Sequence, residues 1–135
     1  MPDELMKACA ATGGVQCING FSHFLGGDAL DPENLFRHID YACELIGADH
    51  VGLGLDFIFD TERNDEFGRS FDPAEKSDYW PKEHYEGVVL SAEASFAPEQ
   101  LPQLTECMLT HGYDASTIRG ILGGNMMRIA RKVWR

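Results

Sequence analysis

The chain has 135 residues and a formal net charge of −11 at pH 7, and its length suits one domain with a core of ordinary size. The negative charge argues against nucleic acid and anionic membrane surfaces as partners. No stretch is apolar for long enough to span a bilayer, and the N-terminal MPDELMK lacks the basic and apolar regions of a signal peptide. Taken as written, the sequence predicts a cytoplasmic protein.

The first half of the chain alternates helices with strands. Asp3 is placed to cap a first helix, and residues 15–20 predict a short strand. Asp31 and Pro32 start a second helix, and residues 50–56 predict a second strand. This order predicts two parallel strands side by side. Apolar residues at helical spacing mark the core faces of the two helices: Leu5, Met6, Cys9 and Ala10, then Leu35, Phe36, Ile39, Ala42, Cys43 and Ile46.

The second strand has two different faces. Val51, Leu53 and Leu55 form an aliphatic face that we expect to pack on helices, whereas the other face carries two glycines and then Asp56. Bare glycine on a strand indicates close approach of another group. An aspartate at the carboxyl end of a parallel strand stands where α/β folds keep their chemistry. The alternative is that Asp56 only caps the following turn.

The second half begins with a long acidic and aromatic segment, residues 57–97, in which apolar residues recur with neither helical nor strand periodicity. It is interpreted as a substrate lid or as a loop packed by its own side chains, and the two are compatible. A helix from Ala97 to Gly112 follows, then a short helix capped by Asp114 and, after a Gly–Gly break, a last helix capped by Asn125. The apolar residues of these helices are Leu101, Leu104, Met108, Leu109, Ile118, Ile121 and Leu122.

The cysteines and histidines do not form a familiar metal motif. Cys9, Cys43 and Cys107 lie beside apolar residues in helical patterns and are interpreted as reduced core thiols. The five histidines show no H-x-H, H-x-x-x-H or H-x-x-E-H spacing, and His111 is predicted to be a surface or loop residue. His50 and Asp56 are ~20 Å apart along one strand, so they cannot share a metal ion.

Two parallel strands do not make a complete sheet. Parallel sheets are almost always covered on both faces, and the predicted helices have more apolar surface than two strands can cover. The chain is therefore predicted to be part of a larger α/β unit or to complete its sheet with another chain.

Three motifs resemble a known family: PDELMKACAATGGV at residues 2–15, DHVGLGLDF at 49–57 and RGILGGNMMRIA at 119–130. In this order they resemble the membrane (renal-type) dipeptidases, metal-dependent peptidases of the amidohydrolase superfamily. The resemblance implies the C-terminal part of a (β/α)₈ TIM-type barrel. Residues 1–135 would form its last two parallel strands, four to five helices and a long loop.

The resemblance also implies site residues. Asp56 corresponds to the family's eighth-strand aspartate, which lies beside two zinc ions and takes a proton or holds the substrate amine. Asn19 and Phe21 fall where the family lines its substrate pocket. No counterparts of the family's metal ligands are present, so we expect no metal ligand in this chain and no binding of the two zinc ions by the chain alone. Many members read D-F-D-G where Phe57 here is followed by Ile58, which leaves the role of the loop and the substrate preference open.

The leading hypothesis is therefore a zinc-dependent dipeptidase that hydrolyses the peptide bond of dipeptides. The chain would be its C-terminal fragment, inactive by itself and expected to form a homo-oligomer. The alternative is a non-catalytic truncated module that oligomerises or docks on a partner barrel.

Overall fold

The computed structural model describes residues 1–26, 31–63, 66 and 95–134. The N-terminal half contains α1 (Asp3–Ala11), β1 (Gln16–Asn19), α2 (Ser22–Leu25), α3 (Pro32–Ile46), a 3-10 turn (Ala48–His50) and β2 (Val51–Gly54). The C-terminal part contains a 3-10 turn (Pro98–Gln100), α4 (Leu101–Thr110), α5 (Ala115–Arg119), a π-helical turn (Gly120–Gly124) and α6 (Asn125–Val133). The structure is mixed α/β, as predicted. Two helical segments were not predicted, α2 and residues 61–63.

The two strands pair in parallel, as predicted, and their register places Asn19 opposite Gly54. Both strands are shorter than predicted. β2 starts only after the 3-10 turn that ends at His50. It stops before Asp56, whose φ of 58° is incompatible with an extended strand.

The core is formed mainly by residues of β2, α3, α4, α5 and the π-helical turn, and the sheet itself packs on α3 and on that turn. The aliphatic face of β2 points into the core, as predicted: Val51 is fully buried, and Leu53 and Leu55 pack against the core. On the opposite face, a Cβ on Gly52 would lie 3.3 Å from the Cys17 sulfur, so glycine permits a close approach there. The other fully buried large side chains are Leu35, Ile39, Phe96, Leu104, Met108 and Ile121.

Two predictions for α1 are wrong. Pro2 occupies the N-cap position, and Asp3 is already helical. The Asp3 carboxylate instead accepts a hydrogen bond from the Tyr41 hydroxyl on α3, at 2.8 Å. Leu5 was assigned to the apolar face but is 57% exposed, whereas Met6 is buried.

The predicted start and end of α3 are confirmed. The Asp31 carboxylate accepts from the Glu33 backbone N–H at 3.0 Å, and Pro32 is the first helical residue. Gly47 ends the helix with φ 86°, a left-handed conformation that glycine adopts without a steric cost. The apolar stripe packs into the core through Leu35, Phe36, Ile39 and Ala42.

The cap of α5 is also confirmed, but two apolar residues of the C-terminal helices are misassigned. The Asp114 carboxylate accepts from the backbone N–H groups of Ser116 and Thr117 at 2.7 and 2.9 Å. The hydroxyl of Ser116 also donates to this carboxylate, and this hydrogen bond, together with the backbone ones, lowers the pKa of Asp114 to about 2. Leu109 and Leu122 are 53% and 37% exposed, so they lie outside the core.

Asn125 does not cap α6, contrary to the prediction. It is itself helical and only 6% exposed. Its amide nitrogen donates to the backbone carbonyls of Ala48 and Val51, both at 2.8 Å. The side chain thus ties the start of α6 to the start of β2.

A second set of contacts holds the segments that lead into the two strands. Arg128 on α6 donates to the carbonyl of Gly13 at 3.0 Å and to that of Asp49 at 2.8 Å. A ring nitrogen of His50 lies 2.8 Å from the carbonyl oxygen of Gly14. α6 therefore bridges the approaches to β1 and β2.

All four cysteines are free thiols. Cys107 is buried, as predicted, whereas Cys9 and Cys43 are only partly buried. Most of the segment 57–97 lies outside the described residues, and so do the lid and packed-loop alternatives predicted for it. Within the described ranges, no helix combines the length and the apolar character needed to cross a membrane.

Replacing Asn125 with leucine tests its bridging role. The variant should lose about 1–3 kcal/mol of unfolding free energy, because the carbonyls of Ala48 and Val51 lose a buried donor. Met127→Leu, at a neighbouring side chain that is 51% exposed, is the control and should change stability by less than about 0.5 kcal/mol. The measurement is urea unfolding followed by circular dichroism. Equal unfolding midpoints for the two variants would contradict the bridging role.

Candidate functional site at the strand ends

The polar groups predicted for the site lie at one edge of the sheet. β1 and β2 are parallel and aligned, so both carboxyl ends reach the same edge. Asn19 is the last residue of β1, and Asp56 follows β2 by two residues. We call Asn19 and Asp56 the strand-end pair.

The strand-end pair is joined by a hydrogen bond whose direction follows from its surroundings. The Asn19 side-chain oxygen accepts from the Phe21 backbone N–H at 2.7 Å. This contact turns the amide NH₂ toward Asp56, to which it donates at 3.3 Å. The amide therefore orients one carboxylate oxygen, and the exposed position of Asp56 leaves the group accessible from solvent.

The backbone of Asp56 is unusual. With φ 58°, it is the one non-glycine residue with positive φ among the described residues. Aspartate tolerates the left-handed region better than most residues because its short side chain can hydrogen-bond locally. This conformation ends the strand.

Gly20 allows the two strand ends to approach each other. A Cβ at this buried position would lie 2.8 Å from the Leu55 carbonyl oxygen and 3.1 Å from Phe96 Cβ. The Gly20 carbonyl also accepts from the Phe96 backbone N–H at 2.8 Å. The chain thus returns to this edge after the long acidic segment.

Phe21 belongs to a small aromatic group beside the strand-end pair. Its ring centroid lies 5.6 Å from that of Phe24 and 6.4 Å from that of His23. Phe24 is 61% exposed. The edge therefore offers a carboxylate and an amide next to an aromatic surface, a combination suited to a small ligand with one charged and one apolar part.

The strand-end pair is separate from the group of possible metal ligands. Within the described parts of the chain, the one set of three His, Cys, Asp or Glu side chains close enough to share an ion is Glu33, Cys107 and His111. Cys107 was predicted to be a core thiol and His111 a surface or loop residue, so their combination was not predicted. The C-x-x-x-H spacing of Cys107 and His111 was the signal that could have revealed it, because residues four apart share one helix face.

Residues 1–66 match the family described as membrane dipeptidase (peptidase family M19). The resemblance to the membrane dipeptidase family is confirmed. This match includes β1, β2 and the strand-end pair.

Curated relatives align with nearly the whole chain. An uncharacterised protein in the pqqA 5′ region of Klebsiella pneumoniae is 26% identical and covers 100% of this chain, which spans 41% of that protein. Dipeptidase aclJ of Aspergillus oryzae is 25% identical over 96% of this chain, and dipeptidase verJ of Clonostachys rogersoniana is 23% identical over 98%. The chain spans 25% and 27% of these two dipeptidases, respectively. No solved structure matches it.

The backbone conformation of Asp56 yields a stability prediction. Asp56→Gly should be more stable than Asp56→Ala by about 1 kcal/mol, because glycine carries no steric penalty at positive φ. At Glu44, an exposed residue inside α3 that does not share this conformation, the order should reverse, because glycine in a helix interior costs about 1 kcal/mol relative to alanine. Chemical unfolding of the four variants measures both differences. The same order of stability at the two positions would contradict the left-handed conformation of Asp56.

Proposed function

We propose that residues 1–135 form the closing part of a (β/α)₈ barrel in a zinc-dependent hydrolase that cleaves dipeptides. The observation that carries this proposal is the Asn19–Asp56 hydrogen bond at the carboxyl edge of two parallel strands. It lies within the region that matches membrane dipeptidase. Carboxyl ends of barrel strands are where TIM-type enzymes hold their catalytic groups.

The zinc ions that the family implies do not fit the strand-end pair alone. Zinc sites in proteins use three or four ligands of the Cys, His, Asp and Glu type. Asp56 offers one carboxylate, and the amide of Asn19 turns its nitrogen toward that carboxylate. The zinc ligands must therefore come from elsewhere in the complete protein, and the role we assign to Asp56 does not depend on the metal.

Asp56 is the proposed catalytic residue. Hydrolysis of a peptide bond removes a proton from the attacking water and adds one to the released amine, and a carboxylate within hydrogen-bond reach can accept the proton from the water and deliver it to the amine. The same carboxylate can bind the free amino group of a dipeptide as an ion pair. Asn19 orients the carboxylate, and Phe21 offers an apolar wall beside it.

Asp56→Asn tests this role in a protein that contains this chain and has the full length of its dipeptidase relatives. The change keeps size and tolerance of positive φ but removes the charge and the proton acceptor. Turnover of dipeptides at saturating substrate should fall ~10²–10⁴-fold, the usual effect of losing a positioned acid–base group. Zinc content, measured by elemental analysis, should stay the same.

Glu62→Gln is the matched control, because Glu62 is an exposed carboxylate a few residues further along the chain. It should leave turnover nearly unchanged. Near-normal turnover of Asp56→Asn would remove the catalytic role and leave Asp56 as a turn residue.

A non-catalytic module remains the second candidate, and one observation favours it. In the described residues, the sheet has two strands, so each strand has an edge that no described strand covers. Such an edge can pair with another chain, and we propose a second copy as that partner. Multi-angle light scattering of the 135-residue chain should then give at least a dimer mass. A monomer mass at all concentrations would contradict self-association.

A further inference from the structure

The group formed by Glu33, Cys107 and His111 joins two helices at the surface. The Cys107 sulfur lies 3.2 Å from Glu33 Oε1, and His111 Nε2 lies 3.1 Å from both Glu33 oxygens. The three donor atoms are all within 4.8 Å of one another. We call these three residues the α3–α4 cluster.

Local structure positions each member of the cluster. Glu33 lies in the first turn of α3, immediately after the Asp31–Pro32 start. Cys107 and His111 are four residues apart, one inside α4 and one directly after it, so their side chains share a face. The ring of Phe36 stacks on that of His111, with centroids 4.2 Å apart and an interplanar angle of 23°. This stacking restricts the imidazole orientation.

The cluster combines a buried ligand with two accessible ones. Cys107 is 7% exposed and belongs to the core. The side chains of His111 and Glu33 are 43% and 52% exposed, so an ion can enter from solvent. The cluster therefore offers one sulfur, one nitrogen and one oxygen donor, and one side of it is open to water. This set of ligands suits zinc.

We propose that the α3–α4 cluster binds one zinc ion through Cys107, His111 and Glu33, with water in the fourth position. In a tetrahedral site with bonds of about 2.0–2.3 Å, ligand atoms lie roughly 3.3–3.7 Å apart. The two contacts of 3.1 and 3.2 Å therefore need to lengthen by only a few tenths of an ångström. Bound zinc would clamp the first turn of α3 to the end of α4.

Without metal, the same residues form a hydrogen-bonded group. Burial, and then the hydrogen bond to Glu33, raise the pKa of Cys107 to about 12, and the negative charges of Glu33 and Asp31 add to this effect. The hydrogen bonds from Cys107 and His111 lower the pKa of Glu33, and the positive charge of Arg37 acts in the same direction. The thiol therefore keeps its proton until a metal ion replaces it.

Cobalt titration of the chelator-treated 135-residue chain tests the proposal. One equivalent of Co²⁺ should produce a thiolate-to-cobalt charge-transfer band, and Zn²⁺ should abolish it by displacement. Cys107→Ser should eliminate the band, whereas Cys9→Ser, at a partly buried thiol on α1, should retain it. Persistence of the band in Cys107→Ser, or its absence in the unmodified chain, would overturn the proposal.

Two exposed ligands give variants that do not disturb the core. His111→Gln and Glu33→Gln should each weaken cobalt binding by at least about 100-fold. Loss of a residue that only hydrogen-bonds to a metal ligand usually has a smaller effect. His38→Gln, at another exposed histidine, is the matched control and should bind normally. If His111→Gln and Glu33→Gln bind as well as the unmodified chain, the metal site is excluded and the cluster is only a hydrogen-bonded contact.

The protonation state of Cys107 adds a second readout. Binding must release the thiol proton, so the association constant should rise about tenfold per pH unit on the alkaline side of neutrality. A pH-independent constant would show that the thiol is not a ligand. This site is independent of the dipeptidase proposal, because the cluster and the strand-end pair share no residue.

Discussion

The parallel pairing of β1 with β2 is the constraint on which the candidate site depends. Parallel strands in register bring their carboxyl ends to one edge, and here the register sets Asn19 beside Gly54. The absence of a side chain at Gly20 then lets the chain pass close to the Leu55 carbonyl. Asn19 can reach Asp56 only because both conditions hold. A shift of one residue would turn Asn19 to the opposite face of the sheet.

Features governed by neighbouring residues could be predicted from sequence. The Asp31–Pro32 start of α3, its end at Gly47 and the Asp114 cap of α5 each depend on hydrogen bonds or backbone angles within a few residues. The parallel pairing was predictable because short helical connections leave few topologies. Proximity of Asn19 and Asp56 follows from that pairing.

Features governed by distant parts of the chain could not be predicted in this way. Asn125 is an acceptable helix cap by local rules, yet its amide bonds to two carbonyls more than seventy residues away. The α3–α4 cluster joins residues 74 and 78 positions apart, and only the i, i+4 half of it is visible in the sequence. Leu5 shows the same limit, because helical spacing does not reveal which apolar side chain meets a neighbouring helix and which faces water.

The contacts made by Arg128 have a consequence for the order in which the protein forms during synthesis. Arg128 reaches the carbonyl of Gly13, a separation of 115 residues, and that of Asp49, a separation of 79. The ribosome therefore completes both strands and most of the helices before the residue that bridges them exists. Contacts so distant along the chain form late and slowly. The approaches to β1 and β2 therefore stay unbridged until Arg128 itself has been synthesised.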